Sequence, residues 1–120
     1  MKKSAWLIPL TVAASLWAAP AQNDVLRLHE AAEKMDWDRA VAYCRGLDAH
    51  IPELKTMKNA YYKSYRGSGG ERPYVEDVYW TADQFDIDGA YAFDFSTGLH
   101  NVEFKGNRFR VMCIQVHSAY

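Results

Sequence analysis

The C-terminal half of the chain alternates between apolar and polar positions with the two-residue period of a β-strand. Tyr91, Phe93 and Phe95 stand on one side of that alternation, which predicts a strand that the following Thr97 and Gly98 turn back. At residues 25–28 a strand is favoured over a helix. In chain order the predicted strands are 25–28, 78–82, 90–96, 102–104 and 109–116. The pattern therefore predicts a small antiparallel sheet.

Two amphipathic helices are predicted before the main strands. In the first, from Trp37 to about Leu47, apolar residues recur at every third or fourth position, and Asp36 can cap its free amides. The second helix, about 53–62, follows Pro52, whose missing N–H costs nothing in a first turn. Loops are predicted at 66–73, rich in glycine, and at 83–89, rich in aspartate. Helical spacing and strand alternation aim four aromatic side chains into the core: Trp37, Trp80, Phe93 and Phe95.

The first 21 residues have the three regions of a secretory signal peptide of bacterial style. Lys2 and Lys3 are basic, residues 5–18 are apolar and uncharged, and residues 19–21 fit the small-residue cleavage motif. The apolar run is shorter than the ~20 residues of a membrane-spanning helix. We therefore expect cleavage after Ala21, one domain at 22–120, no membrane span in the mature chain, and a location in the periplasm, on the cell surface or outside the cell.

Cleavage also sets the charge of the mature chain. Loss of Lys2 and Lys3 reduces the 14 basic residues to 12, against 15 acidic residues. Nucleic-acid binding needs a basic face, so this acidic balance argues against a nucleic-acid partner.

The chain has two cysteines, Cys44 on the first predicted helix and Cys113 on the last predicted strand. Cysteines of exported chains usually pair, so we predict a disulfide between them. Across a separation of 69 positions, the chain-entropy model assigns such a bridge roughly 4 kcal/mol. The alternative, a redox or nucleophilic thiol, would need a Cys-x-x-Cys spacing or an activating base, and neither is visible.

Five motifs together resemble one known family. They are Trp37, Ala40, Tyr43 and Cys44; Ile51, Pro52 and Glu53; Tyr79, Trp80, Thr81 and Ala82; Ala90, Phe93, Asp94, Phe95 and Gly98; and Arg110, Val111, Met112 and Cys113. This set resembles the Lcl C-terminal domain family, of which the chain would be a small exported bacterial member. Glu53 and Thr56 depart from the family pattern, and the loop before Trp80 is short. The resemblance implies an α+β, C-type-lectin-like fold with two helices packed on a small antiparallel sheet.

The resemblance further implies an exported or surface recognition module that binds a protein or a glycan, as in bacterial adhesion. The fold by itself does not fix the ligand. The Glu-Pro-Asn, Gln-Pro-Asp and Trp-Asn-Asp triplets of calcium-dependent sugar binding do not occur in this sequence. Calcium-dependent sugar binding is therefore disfavoured.

One aromatic and basic segment is the predicted binding surface. Its residues are Tyr62, Tyr65, Arg66, Arg72 and Tyr74. Tyrosine and arginine carry much of the binding energy at protein interfaces, and tyrosine faces also stack on sugars. The alternative is that several of these tyrosines only cap a small core.

Metal sites have little support in the sequence. Asp83, Asp86 and Asp88 could offer oxygen ligands to calcium, but aspartates are equally typical of a solvated turn. The histidines lack zinc-site spacing; they are His29, His50, His100 and His117. We predict neither a metal nor a cofactor.

No nucleophile and base stand in a recognisable pairing, so we predict a non-catalytic protein. The leading hypothesis is a binding module of the bacterial envelope that recognises a protein, such as a pilus or envelope component or a host surface protein, with a glycan as the second choice. One alternative is a periplasmic assembly or stabilising factor for a surface filament such as a type IV pilus. Another is an inhibitor of a host enzyme such as lysozyme.

Overall fold

A computed structural model describes residues 25–67 and 72–117. Contacts divide the chain into two units, of which one is Leu28–Gln115. The predicted signal peptide lies outside the described residues. Within them, no helix has the length and apolar character needed to cross a membrane.

The helices and strands follow one another in the predicted order. They are β1 (Val25–Glu30), α1 (Trp37–Gly46), α2 (Leu54–Ala60), a π-helical turn (Tyr61–Tyr65), β2 (Val78–Gln84), β3 (Gly89–Asp94), β4 (Leu99–Phe104) and β5 (Met112–His117). Strand β1 pairs with β5, and β2, β3 and β4 form a three-stranded antiparallel sheet in that order. The Asp36 carboxylate caps α1 by accepting from the Arg39 N–H at 2.9 Å.

The predicted disulfide is present and lies in the first of two core clusters. Cys44 of α1 is bonded to Cys113 of β5, and both residues are buried. Trp80 packs beside them with its indole N–H donating to the Met35 carbonyl at 2.9 Å. The disulfide joins α1 to β5, the last strand. Two helices, antiparallel sheets and the Cys44–Cys113 bridge together confirm the predicted α+β architecture.

The second core cluster lies under α2 and the π-helical turn. Its buried members are Met57, Tyr74, Tyr79, Phe93, Phe95 and Met112. Ala90 and Ala92 belong to the first cluster, whereas Phe93 of the same strand belongs to the second. Strand β3 is therefore covered on both faces over this part of its length. The small residues Ala90 and Ala92 lie on the face towards α1, and the large aromatic residue Phe93 lies on the face towards α2.

The predicted burial of the aromatic residues is confirmed for Trp80, Phe93 and Phe95, and Trp37 is partly buried where it packs against the first core cluster. The Trp37 indole N–H donates to the Thr81 carbonyl at 2.9 Å. The Lys105 ammonium lies over the ring, 4.5 Å from its centroid. Trp37 therefore contacts a carbonyl oxygen and an ammonium group, whereas the neighbours of a fully buried core residue are mainly apolar.

Several boundaries differ from those that the local pattern predicts. Regular α2 ends at Ala60, where the chain passes into the π-helical turn. Strand β5 begins at Met112 instead of 109, because Phe109 and Arg110 form isolated bridges with Met35 and Tyr79. These bridges depend on residues far away in the chain, which a local pattern does not contain.

A charged network fastens β1 to the three-stranded sheet. The Arg110 guanidinium donates to Glu30 at 2.8 Å and to Asp77 at 3.0 Å, and the Tyr79 hydroxyl donates to Glu30 at 2.8 Å. Burial alone would raise the pKa of Asp77, but the Val78 N–H, the Arg110 guanidinium and the nearby Lys34 ammonium together lower it. Burial raises the pKa of the Tyr79 hydroxyl, so this group remains a donor at neutral pH.

Candidate functional site

The predicted tyrosine and arginine residues divide between surface and core. Tyr62 is exposed, and the Arg66 guanidinium lies 5.6 Å from the centroid of its ring. Arg72 is exposed, lies 5.4 Å from the Tyr65 ring centroid, and donates to the Ser64 carbonyl at 2.8 Å. These four residues, Tyr62, Tyr65, Arg66 and Arg72, form what we call the tyrosine–arginine face.

Tyr74 lies elsewhere, in the second core cluster. Its side chain is 5% exposed, and its ring stacks on Phe95 with the centroids 4.2 Å apart. Burial raises the pKa of its hydroxyl to about 12. The Tyr65 hydroxyl donates to the Tyr74 carbonyl at 2.7 Å, so Tyr65 is also partly structural. Tyr74 cannot offer an exposed ring to a partner in this arrangement.

Two of the three aspartates that the sequence offered as calcium candidates have separate structural roles. Asp83 lies in β2, not in the acidic loop, and accepts from the Leu54 N–H at the start of α2 at 3.2 Å. Asp86 accepts from the backbone N–H groups of Asp88 and Gly89 at 3.0 and 2.7 Å, which closes the turn before β3. Over residues 25–67 and 72–117, no three His, Cys, Asp or Glu residues are grouped to hold a metal ion.

An exposed apolar surface lies at the far end of the three-stranded sheet from the Gly98 turn. We call it the sheet-end patch, and its residues are Phe85, Ile87, Tyr91, Val102 and Phe104. Phe85, Ile87 and Phe104 are 58%, 84% and 62% exposed, respectively. The sequence pattern suggested apolar strand residues at 102–104 but gave no sign that they would be left uncovered.

The patch is continuous because its members come from adjacent strands in register. Tyr91 of β3 is the register partner of Val102 of β4, and Gly89 is the partner of Phe104. The Phe85 ring meets the Tyr91 ring edge-on, with the centroids 6.0 Å apart. A Cβ atom at Gly89 would lie 2.9 Å from a methyl carbon of Val102. The glycine therefore leaves room for the Val102 side chain beside β3.

Carboxylates surround one side of the patch. A cleft of about 310 Å³ beside it is lined by Ile87 and Phe104 together with Asp36, Asp38, Asp88 and Lys105. The Lys105 ammonium already contacts the Gln84 side-chain oxygen and the Trp37 ring. Three acidic residues and one lysine thus line the cleft, so the formal charge on this side of the patch is negative.

Strand β4 forms the edge of the sheet next to the patch. It is last in the order β2, β3, β4, and all its residues except Glu103 are exposed. In the described part of the chain, the outer side of β4 pairs with no other strand.

The fold and the surfaces described above define a small, disulfide-tied α+β domain with an exposed apolar sheet end. Residues 28–115 match a family described as a domain of unknown function (DUF8780). The chain belongs to this family, since the match covers most of its length. The resemblance to the Lcl C-terminal domain family stays a prediction.

Other comparisons add little about function. No curated protein matches the chain. Among solved structures, the chain is similar to TC14, a C-type lectin from the tunicate Polyandrocarpa misakiensis, with 11% identity and a TM-score of 0.49. That alignment covers 76% of this chain and 98% of TC14. We draw no functional argument from it.

Proposed function

We propose that the domain is a non-catalytic protein-binding module and that the sheet-end patch is its contact surface. The observation that carries this proposal is the exposure of Phe85, Ile87 and Phe104, each by more than half, at fixed positions. The Phe85 N–H donates to the Gly89 carbonyl at 2.9 Å, so the turn that bears two of them is internally hydrogen bonded. Exposed apolar patches with polar rims are typical of protein-interaction sites. Rigid aromatic side chains also lose little entropy on binding.

The acidic residues beside the sheet-end patch indicate the chemistry of the partner. Asp36, Asp38 and Asp88 face the cleft beside Ile87 and Phe104. A partner that places lysine or arginine against these carboxylates and apolar side chains on the patch matches both the charge and the apolar surface. Complementary charge raises the rate of encounter and suppresses acidic competitors. We therefore infer a protein segment that is both apolar and basic.

This chemistry favours a protein over a glycan among the partners considered from the sequence. A sugar needs many hydrogen-bond donors, whereas the patch consists of apolar side chains. We propose that the mature domain acts in the bacterial envelope, in the periplasm or on the cell surface, and recognises an envelope or pilus protein. Assembly of a surface filament and inhibition of a host enzyme are the alternative roles. The disulfide is compatible with an oxidising compartment.

The test uses two synthetic peptides and the oxidised protein. The first peptide is acetyl-Lys-Val-Lys-Val-Lys-Val-Lys-amide, and the second has glutamate in place of each lysine. We expect the lysine peptide to shift the backbone NMR signals of Gly89, Val102 and Phe104 and to bind at least tenfold more tightly than the glutamate peptide. Added salt should weaken binding of the lysine peptide, because salt screens the attraction between exposed charges.

A pair of matched variants locates the contact. Phe104→Ser removes a patch residue, whereas Leu99→Ser removes an apolar residue that is 65% exposed on the same strand but on its opposite face. We expect Phe104→Ser to weaken binding of the lysine peptide at least tenfold. Leu99→Ser should leave the affinity for that peptide unchanged. If the glutamate peptide shifted the signals of Gly89, Val102 and Phe104 as strongly as the lysine peptide, or if the two variants had equal effects on binding of the lysine peptide, the proposal would be contradicted.

The tyrosine–arginine face supports a second candidate contact. Between Leu54 and Gly67 the sequence contains Lys55, Lys58, Lys63 and Arg66 and no acidic residue. Exposed Tyr62 and Arg66 lie within this basic stretch. Such a face suits an acidic partner. Tyr62→Ala combined with Arg66→Ala should abolish binding of the glutamate peptide if this face binds it, and should leave the lysine peptide unaffected.

A further inference from the structure

The backbone of β4 offers hydrogen-bonding groups along the edge that borders the sheet-end patch. In an antiparallel pair, successive residues direct their N–H and C=O groups alternately towards one neighbour and the other. The Lys105 N–H donates to the Asp88 carbonyl at 2.7 Å, which places that pair in the bonded set. Glu103 with Ala90 and Asn101 with Ala92 have the same parity in the register of β3 and β4.

The residues between them therefore face outward. His100, Val102 and Phe104 turn their backbone groups away from β3. Two bonds on the other side of β3 agree with this assignment. Tyr91, the partner of Val102, directs its carbonyl to the Thr81 hydroxyl at 2.8 Å, and the Phe95 N–H donates to the Asp77 carbonyl at 3.0 Å. Among the outward groups, the Phe104 carbonyl accepts from the Asn107 N–H at 2.9 Å.

The side chains of β4 add a pattern to this edge. Val102 and Phe104 lie on the patch face, and Glu103 lies on the opposite face. A strand laid beside β4 would place every second residue against Val102 and Phe104, and the residues between them near Glu103. Apolar residues suit the first set and basic residues suit the second. Alternation of apolar and basic residues is therefore the sequence that fits the edge.

We propose that the partner binds as an extended strand added to the outer edge of β4, with alternating apolar and basic side chains. This proposal rests on the proposed function, since it names how the apolar and basic segment binds. The outward N–H and C=O groups of His100 and Val102 provide the ladder, and the sheet-end patch receives the apolar side chains. Strand addition of this kind draws its affinity from backbone hydrogen bonds and its specificity from alternate side chains.

The experiment compares N-methylated forms of the lysine peptide. One form carries N-methyl groups on its valines, and the other carries them on its lysines. In an added strand, only one of these two sets of N–H groups points at β4, and the other points into solvent. In antiparallel addition the valines share a face with Val102 and carry the bonding groups. We expect N-methylation of the valines to weaken binding at least tenfold and N-methylation of the lysines to change it less than twofold.

The outcomes separate the two proposals. A loss confined to the lysine set would also support strand addition, but in the parallel direction. Equal binding of both methylated forms and the parent peptide, with continued sensitivity to Phe104→Ser, would overturn strand addition and leave the patch as a side-chain contact. An equal loss of affinity in both methylated forms would also overturn strand addition, because neither set of N–H groups would then be shown to bond to β4. Failure of the parent peptide to bind would overturn the proposed function itself.

Discussion

Replacement of Gly98 by alanine should destabilise the domain through two separable effects. Gly98 lies in the turn between β3 and β4 with a φ of +79°, and its N–H donates to the Asp94 carbonyl at 2.7 Å. An alanine in the left-handed region costs about 1–2 kcal/mol. Its Cβ would also lie 2.4 Å from one carbon of the Tyr61 ring and 2.7 Å from another. Those distances require the ring or the turn to move.

The ring has little freedom to move. Tyr61 packs edge-on against Phe93, with the centroids 5.8 Å apart, and parallel to Tyr65, at 6.1 Å. Overpacking of this kind costs about 1–3 kcal/mol. The sum predicts that Gly98→Ala lowers the free energy of unfolding by about 2–5 kcal/mol. A domain of this size has a total of roughly 5–13 kcal/mol.

A double-mutant cycle separates the two effects. Urea unfolding of wild type, Gly98→Ala, Tyr61→Ala and the double variant would be followed by the fluorescence of buried Trp80. In the Tyr61→Ala background the clash is absent, so Gly98→Ala should cost only the backbone term of about 1–2 kcal/mol. The same cost in both backgrounds would show that the contact with Tyr61 is unimportant. A cost below about 0.5 kcal/mol in wild type would refute the whole argument.

Three further predictions concern the disulfide, the core and the charged network. Combined Cys44→Ala and Cys113→Ala should lower the free energy of unfolding by roughly 4 kcal/mol, measured by urea titration; a loss below 1 kcal/mol would contradict the loop-closure argument. Phe93→Ala should cost about 3–5 kcal/mol, because the side chain is fully buried, and a melting temperature within a degree of wild type would show otherwise. The folded-state pKa of Asp77 is lowered, so its stabilisation is present above the ordinary carboxyl pKa and is lost as the pH falls through the folded value. Asp77→Asn should therefore destabilise at pH 7 by about 1 kcal/mol but not near pH 2, and an equal effect at both would exclude the charge pairing with Arg110.

Local sequence signals predicted the regular elements well because those elements depend on near neighbours. The cap at Asp36 and the three- and four-residue spacing define α1 within a single segment. The change from α2 to a π-helical turn at Tyr61 could not be predicted in this way. Its tyrosines are held by Phe93 and Phe95, more than twenty-five residues further along the chain. Distant packing thus decides the geometry of that segment.

Exposure was the property that the sequence did not reveal. Glycine and proline near Tyr74 predict a loop, but they do not indicate that the tyrosine ring turns inward onto Phe95. Conversely, Val102 and Phe104 have the composition of a core strand, yet no described element covers them. Whether an apolar strand residue is buried depends on which elements reach its face. The candidate site emerged from that arrangement.

The disulfide also divides the chain mechanically. If force were applied to the two ends of the oxidised domain, tension would pass from Cys44 directly to Cys113. The 68 residues between them (113 − 44 − 1) would carry no load even after the fold unfolds. At about 3.4 Å per residue, roughly 230 Å of contour length is withheld from extension. A binding module that holds its partner against flow would stretch only through the residues outside this ring, and chemical reduction would lengthen the tether abruptly.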